Sequence, residues 1–127
     1  MESSSRKQFA PKYDWLSILS KVSTVALDTE NHGLEREFID GSYHHLGFSI
    51  CVKLNDEYIR EYIPTGHKIY DFVSGGTENM PQEGVSAILT AVSKLKVFVF
   101  NAPYDIRIIK SYGVSITDYI DLMRLTH

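Results

Sequence analysis

The chain has 127 residues, of which 43% are hydrophobic and 12% aromatic, and its formal net charge is −3. This length predicts a single domain, and the apolar content excludes an intrinsically disordered chain. The acidic balance argues against a protein that coats nucleic acid through a basic surface, although bound metal ions would supply positive charge to an acidic site.

The cellular location is predicted from general features of the sequence. No apolar stretch approaches the roughly 20 residues that a membrane span needs, and residues 1–12 form a polar tail without an apolar signal core. We therefore expect a cytoplasmic protein without a membrane partner. The single cysteine, Cys51, cannot form an internal disulfide, and its place in an alternating apolar run predicts a reduced thiol in the core.

The chain after the tail predicts a helix and a first strand. Asp14 is placed to cap a short helix that continues to Lys21 and carries an apolar face. Residues 22–28 are rich in β-forming side chains and predict the first strand. The polar stretch that follows predicts a turn at residues 31–33.

A hairpin is predicted next. Apolar residues alternate along His44–Leu54, which indicates a half-buried strand. An Asn-Asp pair at residues 55–56 predicts a tight turn, after which residues 57–63 return as the third strand. Prolines and glycines then place a loop over roughly residues 64–79.

The remaining sequence alternates helices and strands. Residues 81–95 begin with a proline and space their apolar residues at helical period. Residues 96–100 predict a short buried strand. Residues 103–113 predict a helix that starts with a proline and closes with a glycine. Residues 116–121 predict a fifth strand, and a further helix starts at residue 122.

This order of elements predicts the fold class. The succession of strand, hairpin, helix, strand, helix, strand and helix is typical of an α/β domain. We expect a mixed five-stranded sheet with helices packed on its faces, formed by residues 13–127.

Three carboxylates are predicted to meet at one end of this sheet. Asp28 and Glu30 lie two residues apart at the end of the first strand, and such residues point to the same face. Asp105 lies in the first turn of the helix of residues 103–113, on a face that is otherwise apolar. Because that face must pack inward, Asp105 is carried toward the sheet.

Such a cluster predicts a divalent metal site. Carboxylates without a cationic partner repel one another and raise their pKa values. Mg²⁺ prefers oxygen ligands and relieves that repulsion, and two such ions about 4 Å apart can clamp the attacking and leaving oxygens of a phosphodiester. A lone Asp-x-Glu is common on protein surfaces, so the prediction depends on the whole succession of elements around it.

Two motifs resemble those of the DnaQ-like, or DEDD, 3′→5′ exonucleases. Residues 25–30, Val-Ala-Leu-Asp-Thr-Glu, resemble the first exonuclease motif, and residues 97–105, Val-Phe-Val-Phe-Asn-Ala-Pro-Tyr-Asp, resemble the second. Two further stretches resemble the proofreading domains of the bacterial DNA polymerase I family. They are residues 62–67, Tyr-Ile-Pro-Thr-Gly-His, and residues 119–123, Tyr-Ile-Asp-Leu-Met.

The resemblance implies an RNase H-like fold and a two-metal site. By this resemblance Asp28 and Glu30 bind Mg²⁺ or Mn²⁺ directly. Asp105 matches the aspartate that holds the second ion, largely through water. Asp121 matches an aspartate that is structural rather than catalytic.

The resemblance also implies a substrate, the 3′ end of a single DNA strand. Thr29 offers its backbone near the terminal nucleotide. Leu34 matches a leucine that wedges against the terminal bases, and Asn101 matches an asparagine near the substrate strand.

The family's third motif, Tyr-x-x-x-Asp, has no match after Asp105. In the family its tyrosine orients the attacking water, and its aspartate is the fourth metal carboxylate. The resemblance therefore implies a domain that is C-terminally incomplete as given, with polymerase sequence or a second chain completing the site. We expect slow cleavage from this chain alone.

Two functions follow from these patterns. The first is a proofreading-type 3′→5′ exonuclease that removes nucleotides by two-metal-ion hydrolysis, as part of a DNA polymerase or as a stand-alone relative. The alternative is a non-catalytic module of the same fold that binds a nucleic-acid end or a partner protein. The missing third motif favours the alternative. The intact Asp28, Glu30 and Asp105 favour the exonuclease, because a pure binding module has no need to keep all three.

Overall fold

The computed structural model describes residues 8–32, 44–67 and 79–125. The regular elements are, in chain order, α1 (Trp15–Leu19), β1 (Thr24–His32), β2 (His44–Leu54), β3 (Glu57–Pro64), α2 (Gln82–Val92), β4 (Lys96–Val99), α3 (Ala102–Lys110), β5 (Tyr119–Asp121) and α4 (Leu122–Leu125). No helix in the described part of the chain is long and apolar enough to cross a membrane.

The strands form one open mixed sheet in the order β3-β2-β1-β4-β5. The central strand β1 pairs antiparallel with β2 and parallel with β4, and β5 pairs parallel with β4. The predicted α/β class, with a five-stranded mixed sheet and flanking helices, is confirmed. Because β1 and β4 are parallel, the residues that follow them lie at the same edge of the sheet, which is where ligands bind in open α/β sheets.

The core lies on one face of this sheet. The strand register places Val25, Leu27, Phe48, Ile50, Val97 and Val99 on that face, and all are buried. The buried apolar side chains of the first three helices join the same cluster: Trp15, Leu19, Val85, Ile88, Leu89, Val92, Ala102 and Ile109. The opposite face of β1 and β2 presents exposed and half-buried side chains. Within the described residues, α1, α2 and α3 therefore pack on one face of the sheet rather than on both.

Cys51 is not a core residue, contrary to the prediction. Its neighbours Ile50 and Val52 are buried on the core face, and alternation along β2 turns Cys51 to the opposite face. The free thiol there is half-buried. The apolar run predicted the strand correctly, but every second residue of such a run faces away from the core.

β1 is longer at its carboxyl end than predicted. The polar residues after Asp28 predicted a turn, yet the strand continues until His32 pairs with His44. The predicted turn is wrong at residues 31 and 32, and Gly33 lies outside the described residues. Pairing with β2 overrides the preference of these polar residues for a turn. A β-bulge between Glu30 and Asn31 accommodates the change in register.

The region beyond the bulge is tied to the end of α3. Asn31 Oδ1 lies 3.0 Å from His45 Nδ1. The His45 ring packs edge-on against Tyr112, with ring centroids 6.0 Å apart. These contacts hold the ends of β1 and β2 against the turn that follows α3.

The predicted hairpin turn, the glycine that closes α3 and the Asp14 cap are confirmed. Asn55 and Asp56 have φ angles of 53° and 65°, as the tight turn of a hairpin requires. Gly113, with φ of 81°, lies just beyond the last turn of α3. The Asp14 carboxylate caps α1 by accepting a 3.3 Å hydrogen bond from the N–H of Ser17.

β5 is shorter than predicted. The strand covers Tyr119–Asp121, whereas apolar spacing predicted residues 116–121. Val114 and Ile116 are buried in the core but lie outside the strand. These two residues are spaced two apart because both are buried in the core. Period-two spacing alone does not show whether such residues also pair with a neighbouring strand.

A carboxylate on the core face anchors the N-terminal segment to β3. Glu61 accepts hydrogen bonds from the backbone N–H groups of Lys12 and Tyr13, at 2.6 and 3.4 Å. It also accepts a 2.7 Å hydrogen bond from the indole of Trp15.

The Glu61→Ala substitution is expected to lower the free energy of unfolding by about 1–3 kcal/mol, because the indole N–H of buried Trp15 would lose its acceptor. Urea denaturation followed by the fluorescence of Trp15 measures this change. Glu57→Ala, at an exposed position of the same strand, is the matched control and should cost less than about 0.5 kcal/mol. Equal values for the two variants would show that the Glu61 contacts add nothing to stability.

Candidate functional site

The predicted site residues converge on one edge of the sheet. Asp28, Thr29 and Glu30 occupy the carboxyl-terminal half of β1. Asn101 is the N-cap of α3, and Asp105 lies in the first turn of that helix. Leu34, the predicted wedge, lies outside the described residues. We call Asp28, Glu30 and Asp105 the acidic site.

Asp105 is buried, as its place on an apolar helix face predicted, and only 2% of its surface is exposed. Its Oδ1 accepts hydrogen bonds from the hydroxyl of Thr29 and, at 3.4 Å, from the backbone N–H of Thr29. Its Oδ2 accepts 3.1 Å hydrogen bonds from the backbone N–H groups of Phe100 and Asn101. One carboxylate therefore joins the end of β1 to the connection between β4 and α3.

These hydrogen bonds engage all the acceptor capacity of Asp105. An ionised carboxylate offers about four lone-pair sites, and four donors point at this one. In this arrangement Asp105 contributes negative charge to the acidic site, and both of its oxygens are hydrogen-bonded to other groups of the protein. Its predicted role in metal binding stays a prediction.

Asp28 and Glu30 have the opposite environment. Both are exposed on the face of β1 that points away from the core. The pKa of Asp28 is raised above its ordinary value of 3.8, first by partial burial and then by the charges of Asp105 and Glu30. Asp28 is therefore close enough to Asp105 and Glu30 to be repelled by both, although Asp105 lies on the core side of β1 and the exposed pair on the other.

Tyr62, a neighbour of Glu30, and its partner His67 were not among the predicted site residues. The Tyr62 hydroxyl lies 2.6 Å from His67 Nε2, and the Glu30 carboxylate lies close enough to perturb it. Burial, together with the charge and hydrogen bond of Glu30, raises the pKa of Tyr62 above its ordinary value of 10. The hydroxyl is therefore neutral at physiological pH and remains a donor.

The start of α3 is held by a second carboxylate. Asp121 accepts a 3.2 Å hydrogen bond from the N–H of Ala102 and a 3.0 Å hydrogen bond from that of Met123. Both contacts are structural, in line with the expectation for Asp121. The side chain of Asn101 makes no capping hydrogen bond and is half-buried beside these groups.

The fit of a divalent cation differs among the three carboxylates. Asp28 and Glu30 fit a hard cation, because they are exposed oxygen ligands on one strand face whose repulsion a cation would relieve. Asp105 does not fit a direct ligand in this arrangement, since its oxygens are already hydrogen-bonded. Across residues 8–32, 44–67 and 79–125, no group of three or more His, Cys, Asp or Glu side chains is arranged to hold a metal ion.

A surface groove of about 920 Å³ lies between α3 and β5. Pro103, Arg107 and Tyr119 are among the residues that line it, whereas Asp28, Glu30 and Asp105 are not. The acidic site is therefore separate from this groove, and its exposed pair faces solvent at the sheet edge.

Comparisons with known proteins return no relative: no family model matches this chain, and no curated protein matches it.

Proposed function

We propose that this chain carries the metal-binding part of a 3′→5′ exonuclease of RNase H-like fold, acting on the 3′ end of a DNA strand. The observation that carries the proposal is the exposed pair Asp28 and Glu30 on one face of the central strand, with the charge of Asp105 behind it. The motifs at residues 25–30 and 97–105 support the same function.

Each residue of the site has a role in this proposal. Asp28 and Glu30 hold Mg²⁺ or Mn²⁺, and Asp105 adds charge that favours the cation. When bound, the metal ions supply an activated water and neutralise the leaving 3′ oxygen. Thr29 and Asn101 lie beside the carboxylates, where the terminal nucleotide would be held.

A non-catalytic module of the same fold is the second candidate. The observation that favours it is the commitment of Asp105 to four protein donors, which leaves two exposed carboxylates for a metal. Such a module would bind a nucleic-acid end or a partner protein without cleaving it. The two candidates differ in whether the effect of the protein on the strand end depends on a bound metal ion.

The proposal is tested with a 5′-labelled single DNA strand and the intact chain. We expect slow, stepwise shortening from the 3′ end that requires Mg²⁺ or Mn²⁺, because the phosphodiester is attacked only when metal activates the water. Denaturing gels over time measure the shortening, and an RNA strand of the same sequence distinguishes the substrates.

Glu30→Gln is the informative variant, because it keeps the size of the side chain and removes its charge. We expect it to lose the metal-dependent shortening while remaining folded. Shortening that persists in EDTA, or equally in Glu30→Gln, would contradict the proposal. Binding of the strand end without any metal dependence or shortening would instead support the non-catalytic module.

A further inference from the structure

Glu30 and Tyr62 meet across an intervening strand. Glu30 pairs with Gly47 of β2, and Tyr62 lies on β3 opposite Ser49 of β2. Alternation puts the side chains of Glu30 and Tyr62 on the same face of the sheet. Neighbouring strands are about 4.8 Å apart, so the tyrosine ring must cross β2 to bring its hydroxyl to Glu30.

Gly47 makes room for this crossing. A Cβ added at Gly47 would lie against the Tyr62 hydroxyl, 2.6 Å from ring atom Cζ and 2.6 Å from the carbonyl oxygen of Ile63. The carbonyl belongs to the backbone of β3, so a side chain at this position would push the Tyr62 ring aside and also strain the pairing of β2 with β3. Glycine inside a strand often marks such a close approach.

The Tyr62 hydroxyl is also held from its far side. The rings of Tyr62 and His67 pack edge to face with centroids 5.7 Å apart, and Oη lies 2.6 Å from Nε2. His67 is fixed by Asn79, whose side chain bonds the backbone N–H and carbonyl of His67, both at 2.8 Å. A hydroxyl has one hydrogen, so its oxygen can accept from His67 Nε2–H while that hydrogen points to Glu30.

We propose that Tyr62, seated over Gly47 and backed by His67, positions the Glu30 carboxylate as a metal ligand, an inference that rests on the proposed function. Glu30 is exposed, and a glutamate without this contact would lose rotamer freedom on binding an ion. A hydrogen bond from the Tyr62 hydroxyl would restrict that freedom in advance and leave the other carboxylate oxygen for the ion. Hydrogen-bond partners of metal ligands typically change affinity by about 10- to 100-fold.

The test is calorimetric titration of the intact chain with Mn²⁺. Tyr62→Phe removes the hydroxyl and keeps the ring over Gly47. We expect it to weaken Mn²⁺ affinity by about tenfold while the Tm measured without metal stays unchanged. Tyr58→Phe is the matched control, because Tyr58 lies on the same strand and face and is 74% exposed. Its affinity should equal that of the wild type.

A second variant tests the same contact by changing the residue under the Tyr62 ring. Gly47→Ala displaces the ring, so it should weaken Mn²⁺ binding at least as much as Tyr62→Phe. Wild-type affinity in Tyr62→Phe would overturn the positioning role, as would a loss of affinity in Tyr62→Phe that merely follows a lowered Tm. Failure of the proposed function looks different: the wild type would bind no Mn²⁺, or Asp28→Asn would bind it as well as the wild type.

Discussion

Replacing Asp105 with alanine is expected to lower the free energy of unfolding by about 3–5 kcal/mol. The variant would leave the N–H groups of Thr29, Phe100 and Asn101 and the hydroxyl of Thr29 without their common acceptor. A buried donor without a partner costs about 1–3 kcal/mol, and relaxation toward solvent would recover part of the sum. Urea denaturation at neutral pH measures the loss.

The control for this prediction is Asp118→Ala, an exposed aspartate in the approach to β5, which should cost less than about 0.5 kcal/mol. A double-mutant cycle with Thr29→Val sharpens the test, because that variant removes only the hydroxyl. We expect the two changes to be non-additive by about 0.5–3 kcal/mol. An additive cycle would mean that Asp105 and Thr29 do not share the hydrogen bond seen in the structure.

Asp28→Asn is expected to reduce metal-dependent cleavage and to increase stability. The variant should lose metal-dependent cleavage by about a hundredfold or more, because a charged group at the reacting centre is removed. It should also be more stable than the wild type at neutral pH without metal. The reason is the raised pKa of Asp28: burial and the charges of Asp105 and Glu30 disfavour its ionised form in the folded state.

The direction of the pH dependence follows from this shift. A carboxyl group with a folded pKa above its unfolded value favours the fold while protonated, and this contribution is lost as pH rises through the folded pKa. The advantage of Asp28→Asn should therefore grow from about pH 4 upward and level off above the folded pKa of Asp28. We expect a few tenths to about 1 kcal/mol, since solvent screens an exposed carboxylate.

Thermal melts between about pH 4 and about pH 8 in EDTA measure this difference. Added Mn²⁺ should raise the Tm of the wild type and leave that of Asp28→Asn unchanged, because only a protein that binds the ion gains stability from it. Identical melts for the two proteins at every pH would show that burial and the charges of Asp105 and Glu30 do not disfavour the ionised form of Asp28.

Several elements were predictable because their signals are local. The β2–β3 hairpin follows from strict alternation on both sides of Asn55 and Asp56. The helix α3 follows from its proline and glycine boundaries. The burial of Asp105 also followed from local spacing, since it shares a helix face with Ile108 and Ile109.

The parts that were missed depend on contacts between distant residues. The end of β1 is polar and resembles a turn, and only pairing with β2 keeps it extended. The hydrogen bonds to Asp105 come from β1 and from the residues just before α3. Local residue spacing around Asp105 therefore did not indicate that its oxygens would be hydrogen-bonded in this way. Gly47 was the available clue to Tyr62, because a glycine inside an alternating strand indicates that another group approaches the backbone.

The contact between Thr29 and Asp105 spans 76 residues of sequence. The β2–β3 hairpin closes through a two-residue turn, whereas the β1–β4 pairing must close a long loop whose entropic cost precedes any gain from contacts. A folding chain can thus form its hairpin while Asp105 is still distant from Asp28 and Glu30. The burial of Asp105 beside β1 is therefore complete only once the non-local pairing of β1 with β4 has formed, whereas Asp28 and Glu30 are neighbours on β1 from the start.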